Sequence, residues 1–180
     1  MKLKIVKDSN PIMRKRSLPV EMPLSPKDKE TLDAMLEYLK LSQDEEYAKK
    51  HNIQAGVGMA AIQIDLLKRM FVIHYETNDG PVTYQLVNPQ IIETSIKKCA
   101  LEAGEGCLSV PNHHEGLVHR YYKIKMKAYD ALRDEDIIIT AMGYDAIVLQ
   151  HEYDHLEGKF YYDRINPMDP NGKMPGEEII

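Results

Sequence analysis

Residues 149–155 read Leu-Gln-His-Glu-Tyr-Asp-His, and the His-Glu-x-x-His spacing within them constrains this chain more than any other feature. On an α-helix, residues four apart share a face, so His151 and His155 present two imidazoles one turn apart. Two imidazoles at that spacing can hold one divalent ion. Glu152 lies ~100° round such a helix from His151. There its carboxylate can act on a water held by the ion rather than on the ion itself. The flanks predict a helix as well. Gly143 lies upstream, Ala146-Ile147-Val148-Leu149 is apolar, and Gly158 is the residue type that commonly ends a helix in the left-handed conformation. The competing reading is a surface helix that carries two histidines by accident. The apolar run weighs against it, because it places the pair on a largely buried helix, where imidazoles beside a carboxylate need partners.

A chain of 180 residues is long enough to bury a core in one domain, and residues 1–180 are read as one. The formal charge of −5 argues against a protein whose main partner is a nucleic-acid backbone. No apolar run approaches the ~20 residues needed to span a bilayer. The stretch Met1-Lys2-Leu3-Lys4-Ile5-Val6 is basic but lacks the apolar region of a signal peptide. A cytoplasmic protein without a membrane role is the expectation. Two cysteines, Cys99 and Cys107, are too few for a disulfide framework or a four-thiolate zinc site. In a reducing cytosol they are not expected to pair, which leaves a free thiol available for chemistry.

The N-terminal third reads as helices. Asn10 to Arg16 predicts a short helix opened by Pro11. Ser25-Pro26-Lys27-Asp28 predicts a firmer start, with a capping Ser, then Pro, then an acid in the first turn. Leu32, Met35, Leu36 and Leu39 follow at helical spacing to about Leu41. Ser42-Gln43-Asp44-Glu45 reads as a capping box for a continuation to about Lys50. From Lys68 to Met142 the texture is that of strands: Met70 to Tyr75, a turn over Thr77 to Pro81, then Val82 to Val87. Asn88-Pro89 is expected to break the chain before Gln90 to Glu93. Leu117-Val118, Lys123 to Ala128 and Asp136 to Thr140 complete the set. Helices, then strands, then one buried helix argue for an α+β fold. Its expected architecture is antiparallel or mixed sheets packed around a central buried helix bearing His151 and His155, with N-terminal helices.

Two further stretches stand apart. Gly56-Val57-Gly58-Met59-Ala60-Ala61-Ile62-Gln63 lacks the third glycine of a dinucleotide loop and the Gly-Lys-Ser/Thr of a P-loop. Glycines spaced by two predict a backbone approached closely, by a packing neighbour or by a ligand. Gln63 adds an uncharged amide donor suited to a carbonyl oxygen. Gly104-Glu105-Gly106-Cys107-Leu108-Ser109-Val110-Pro111 places a cysteine on irregular backbone. Cys107 has three readings: a buried structural thiol, a nucleophile served by a histidine base, or a third metal ligand. A Cys-His-His set leaves one coordination position open for water, which is the catalytic arrangement.

Together these stretches resemble the peptide deformylases. The three motifs of that family occur in order: Gly-x-Gly-x-Ala-Ala-x-Gln at Gly56 to Gln63, Glu-Gly-Cys-Leu-Ser at Glu105 to Ser109, and Gln-His-Glu-x-Asp-His at Gln150 to His155. Asn10-Pro11-Ile12-Met13-Arg14 is similar to the family's N-terminal Pro-x-x-Arg element. Met59 stands where leucine is common and Ile62 where proline is common. The segment from Leu24 to Ala55 and the stretch Gly116-Leu117-Val118-His119-Arg120 resemble the type found in Gram-positive bacteria.

The resemblance implies that Cys107, His151 and His155 hold one divalent ion, ferrous iron by expectation, with zinc, nickel or cobalt able to substitute. It implies Glu152 as general base and then general acid, and Gln63 with the Leu108 backbone N–H as oxyanion donors. The reaction implied is removal of the formyl group from the N-terminal methionine of nascent polypeptides, releasing formate, near the ribosome exit. The strip Gly56, Val57 and Gly58, with Glu105, would take the substrate, its backbone by strand addition. Helix geometry places Ile147 and Val148 to either side of the metal face, with Val57 as a third wall, as the methionine pocket. Two other classes stay open on residues alone: a metallopeptidase, whose third ligand would come from Asp163, Asp169, Glu177 or Glu178, and a non-enzymatic metal-binding module. His51, His74, His113, His114 and His119 are expected to play no part, and Cys99 to be structural.

Overall fold

The computed structural model describes residues 3–180; Met1 and Lys2, which open the N-terminal basic stretch, lie outside the described residues. After a 3-10 turn at Pro11–Arg14, helix α1 runs over Pro26–Ser42. Ser25 caps it by accepting from the Asp28 N–H at 3.1 Å, and Asp28 is held in turn by Lys68. Helix α2, Glu45–His51, is capped by Asp44, which accepts from Tyr47 N at 2.8 Å. The expected Ser42 cap is thus displaced by two residues. Ser42 is still inside α1, and its buried hydroxyl donates to Leu39 O while accepting from Gly56 N.

Five strands form the main sheet in the order β1-β2-β3-β6-β7, every neighbour antiparallel. They are β1 at Gly58–Ala60, β2 at Met70–Thr77, β3 at Gly80–Thr94, β6 at Lys123–Asp130 and β7 at Glu135–Met142. The expected break at Asn88-Pro89 is instead a bulge within one long strand, with the register shifting between Val87 and Gln90. Asn88 takes a left-handed φ of 51°, and its side chain both accepts from Val20 N and donates to Val20 O at 2.8 Å. Proline's missing N–H is tolerated where the ladder is already interrupted. Leu117-Val118 is not a strand. Leu117 N donates to Pro170 O, and the strand of this region is β5, Arg120–Tyr121. It joins β4 (Lys98–Ala100) and β8 (Glu178–Ile179) in a small mixed sheet ordered β5-β4-β8, so the C-terminal segment is paired with the sheet.

Successive residues of β2 face opposite sides, which divides the core in two. Met70 and Val72 pack with Leu32, Met35, Leu36 and Leu39 of α1. Phe71, Ile73 and Tyr75 pack with Ala146, Val148 and Leu149 of helix α3, which spans Tyr144–Leu156. Leu32, Met35 and Leu39 are fully buried, each stabilising the fold by ~1.5–3 kcal/mol. Leu39→Ala would remove that and leave a cavity, at a cost of ~2–5 kcal/mol. Among the described residues, no helix is long and apolar enough to cross a membrane.

Candidate active site

Helix α3 begins where β7 ends. Gly143 makes the corner at a φ of 58° and donates its N–H to Tyr122 O at 2.8 Å. Its far end closes at Gly158, φ 69°, where an added Cβ would overlap Arg14 O. The rotation of the helix about its axis is set by Gln150. That side chain accepts from Tyr121 N at 3.0 Å and donates to Tyr121 O at 2.9 Å, like one more residue of the β5 ladder. With Gln150 turned to β5, His151 and His155 face the segment that carries Cys107.

Cys107 Sγ lies 3.3 Å from His155 Nε2, and the ligand-capable atoms of Cys107, His151 and His155 all lie within 4.8 Å of one another. Bonds of ~2.3 Å to sulfur and ~2.1 Å to nitrogen at tetrahedral angles would separate S from N by ~3.6 Å. One thiolate and two imidazoles so spaced fit a divalent ion with little rearrangement. His151 Nδ1 is 2.8 Å from Glu105 Oε2, which leaves Nε2 to face the sulfur. Burial alone pushes the Cys107 thiol up, but the charge and hydrogen bonds of His155 and His151 outweigh it and bring it down to about 5. For His151 burial favours the neutral ring, yet Cys107 and Glu105 raise it well above its ordinary value. The sulfur is therefore held as thiolate, the form that binds metal.

Behind these groups lies a buried charge network. Arg120, 1% exposed, donates from Nε and NH2 to Glu105 at 2.6 and 2.8 Å and from NH1 to Asp154 at 2.9 Å. Arg164 closes the far side of Asp154 with two bonds of 2.6 Å. Burial disfavours the ionised Glu105, but Arg120 and then His151 hold it down to about 2. Glu105 lines the pocket, yet both its oxygens are spent on Arg120 and His151. In the sequence Arg120 stands only as the last residue of the Gly116 to Arg120 stretch, with no role attached to it. A lone arginine closing an apolar run was the available signal.

Glu152 is 3% exposed and its Oε2 has no hydrogen-bond partner among the described residues. Burial raises its carboxyl to about 7 despite the nearby imidazoles. It lies flat against β1. A Cβ on Gly58 would overlap Glu152 Oε1 and stand 2.6 Å from Cδ, so only glycine fits there. Gln63 sits on the 3-10 turn Ala61–Ile64. Its Oε1 accepts from Ala60 N at 2.8 Å, which aims Nε2 at Ser109 Oγ (3.1 Å) and Cys107 Sγ (3.6 Å). Met59 and Ile62, the two departures from the motif, are fully buried in the two cores.

A pocket of about 280 Å³ opens beside Cys107. Gly56, Val57, Gly58, Gln63, Leu108, Ile147, Val148 and Glu152 all line it, as do Cys107 and His151. Leu149 instead packs on the sheet side. Gln43, Leu101 and Tyr144 also line the pocket and were not anticipated. Gln43 Nε2 donates to Gly56 O at 2.9 Å and to His74 O at 2.7 Å, tying the end of α1 to the glycine strip. Its position after α1 gave no hint of this. The other five histidines have other partners: His51 stacks on Tyr47, His74 meets Thr83, His113 stacks on Tyr161, His114 packs on Tyr162 and His119 pairs with Glu177. Cys99 is fully buried in β4, where burial raises its thiol to about 11.

Comparison with known proteins agrees with this geometry. The polypeptide deformylase family model matches residues 2–171. The chain is 46% identical over 168 residues to the peptide deformylase of Macrococcus caseolyticus, covering 92% of this chain and 91% of that one. It is 43% identical over 178 residues to the peptide deformylase of Staphylococcus epidermidis, covering 98% and 96%. A crystal structure of a Met-Ala-Ser-bound class I type b peptide deformylase from Acinetobacter baumannii superimposes with a TM-score of 0.72 at 29% identity, covering 92% of this chain and 99% of that one. With its three motifs drawn around one pocket and its length shared with these enzymes, the chain belongs to the polypeptide deformylase family.

Proposed function

We propose that residues 1–180 work as one catalytic unit that removes the formyl group from N-terminal formylmethionine of new polypeptides, using Cys107, His151 and His155 as metal ligands. The observation that carries this is the convergence of those three groups within 4.8 Å beside a buried carboxylate with an unpartnered oxygen. A bound divalent ion supplies Lewis acidity, lowering the pKa of a water and polarising the formyl carbonyl. Ferrous iron is the ion expected from the family, and the mixed sulfur and nitrogen donor set also admits zinc, nickel or cobalt.

The chain's own residues do the rest. The open edge at Gly56, Val57 and Gly58 receives the substrate backbone, and the methionine side chain enters between Ile147, Val148 and Val57. Gln63 Nε2, aimed by the Ala60 N–H, and the Leu108 N–H donate to the formyl oxygen as it gains charge. Such a donor is worth ~3 kcal/mol of barrier. Glu152 takes a proton from the attacking water and delivers it to the departing amine nitrogen. A carboxyl near 7 is suited to both transfers at neutral pH. Glu105 acts through His151, fixing its tautomer, rather than on the substrate. The Met-Ala-Ser ligand of the Acinetobacter baumannii enzyme, a peptide beginning with methionine, supports a product of the same kind here. The site of action is the cytoplasm, near the ribosome exit, where formylated chains emerge.

The test is formate release from formyl-Met-Ala-Ser, run anaerobically with iron and repeated after chelation. Glu152→Ala should bind metal as the wild type does and lose nearly all turnover. Metal content falling together with activity would show Glu152 to be a ligand and refute its assignment as base.

A further inference from the structure

The pocket beside Cys107 does not end at the glycine strip. Gln54 and Leu108 line it on one side and on their other side line a second, broader groove of about 1120 Å³. The floor of that groove is one face of α1, with Tyr38 and Leu41 at helical spacing. Its walls are Leu3 and Ile5 on the N-terminal segment and Ile53 after α2, and Lys7, Glu37, Tyr47, His51 and Asn52 also line it. These apolar side chains are only half-buried, unlike Leu32, Met35 and Leu39 on the opposite face of the same helix.

Strand direction connects the two cavities. Gly58 lies against Glu152 at the reacting end, Gly56 lies against Leu108, and Gln54 is the next outward-facing step along the chain. A polypeptide held on this edge with its formyl group at Cys107 and His155 must run from Gly58 back toward Gln54. Extended backbone advances ~3.3 Å per residue, so its fourth or fifth residue arrives at the shared wall of Gln54 and Leu108. We propose that the groove over α1 is a docking surface for the substrate polypeptide beyond its third residue, and that it favours chains with large apolar side chains at positions four to six. The proposal rests on the strand-addition reading above and commits to the substrate itself as occupant, because the groove adjoins, across Gln54 and Leu108, the pocket that holds the substrate's first residue. Its volume of about 1120 Å³ exceeds what a single side chain needs and lies just above the ~300–1,000 Å³ of small-molecule pockets.

The experiment compares kcat/KM for formyl-Met-Ala-Ser with that for two hexapeptides, formyl-Met-Ala-Ser-Leu-Leu-Phe and formyl-Met-Ala-Ser-Gly-Ser-Gly, on wild-type, Tyr38→Ser and Ile53→Ser proteins. For the wild type, the apolar extension should raise kcat/KM about tenfold through KM, the order expected from covering one large side chain, and the Gly-Ser extension should not. Both variants should turn over the tripeptide as the wild type does and lose the gain. Equal kcat/KM for the two hexapeptides on the wild type would overturn the proposal without recourse to any variant. So would a gain that survives in both variants. Failure to deformylate the tripeptide would overturn the catalytic reading and this inference with it.

Discussion

Gly58→Ala tests whether the position of the Glu152 carboxylate, and not merely its presence, sets the rate. A Cβ at residue 58 would stand 2.6 Å from Glu152 Cδ and 2.8 Å from Cγ, where carbon atoms in contact normally rest at ~3.5–4.0 Å. The strand cannot yield, because Met59 and Ala60 are fully buried and paired with Val72 and Phe71 of β2. The side chain of Glu152 must therefore retreat by ~1 Å, and a misplacement of that size costs ~100-fold in rate, or ~2.7 kcal/mol of barrier. The three atoms nearest the new methyl group all belong to Glu152, so metal content should equal that of the wild type. Formate release in single-turnover assays, with metal measured on the same sample, reads both quantities. Gly56→Ala is the control: its Cβ would meet the Leu108 side chain at 2.9 Å instead of Glu152, so it should act on KM. A Gly58→Ala protein with wild-type metal content and kcat within threefold of wild type would refute the argument that this contact holds the base in place.

Arg120→Met leaves two buried carboxylates, Glu105 and Asp154, without their shared partner. The expected loss is ~3–5 kcal/mol, read as a fall in Tm of roughly 10 °C for a chain of this size, and adding Glu105→Gln should recover part of it. Gln43→Ala releases Gly56 O and His74 O from the end of α1. It should raise KM for formylated tripeptides severalfold while leaving kcat and Tm near wild type, and an unchanged KM would show that the clamp is incidental.

The parts of this protein that were legible in advance are those where a local pattern and its tertiary use coincide. His151 and His155 declare themselves because helix spacing alone brings them to one face, with Glu152 ~100° round from His151. The glycines at 56 and 58 declare a close approach because no other residue type leaves the space that Leu108 and Glu152 occupy. Ser42 and Asp44 are both good caps, and Asp44 takes the role because Gly56, distant in sequence, claims the Ser42 hydroxyl. Asn88-Pro89 reads locally as a break. It becomes a bulge because Val20, far upstream, satisfies both ends of the Asn88 amide. β4 and β8 are too short to show a period, and their parallel pairing joins segments about eighty residues apart. The network of Arg120 is hidden for the same reason: its partners come from two other parts of the chain.

Three glutamines show what kind of group this site uses to hold its machinery still. Gln150 fixes the rotation of α3 against β5, Gln43 fixes the glycine strip against α1, and Gln63 is itself fixed by the Ala60 N–H. Each could have been a charged side chain of similar length. Burying a charge costs far more than burying an amide that keeps its hydrogen bonds. A charge also acts over distance. Glu152 is held near 7 by the balance between its burial and the charges of His151, His155 and Cys107, and a further charge at position 43, 63 or 150 would shift that balance. An amide both donates and accepts, so each glutamine can grip backbone without adding a field. The charges that are buried nearby, Arg120 with Glu105 and Asp154, occur as a mutually compensated set, and one of them, Glu105, is used to orient His151. Neutral tethers at the pocket and compensated charges behind it leave the field at Glu152 to its burial and to the groups of the site itself.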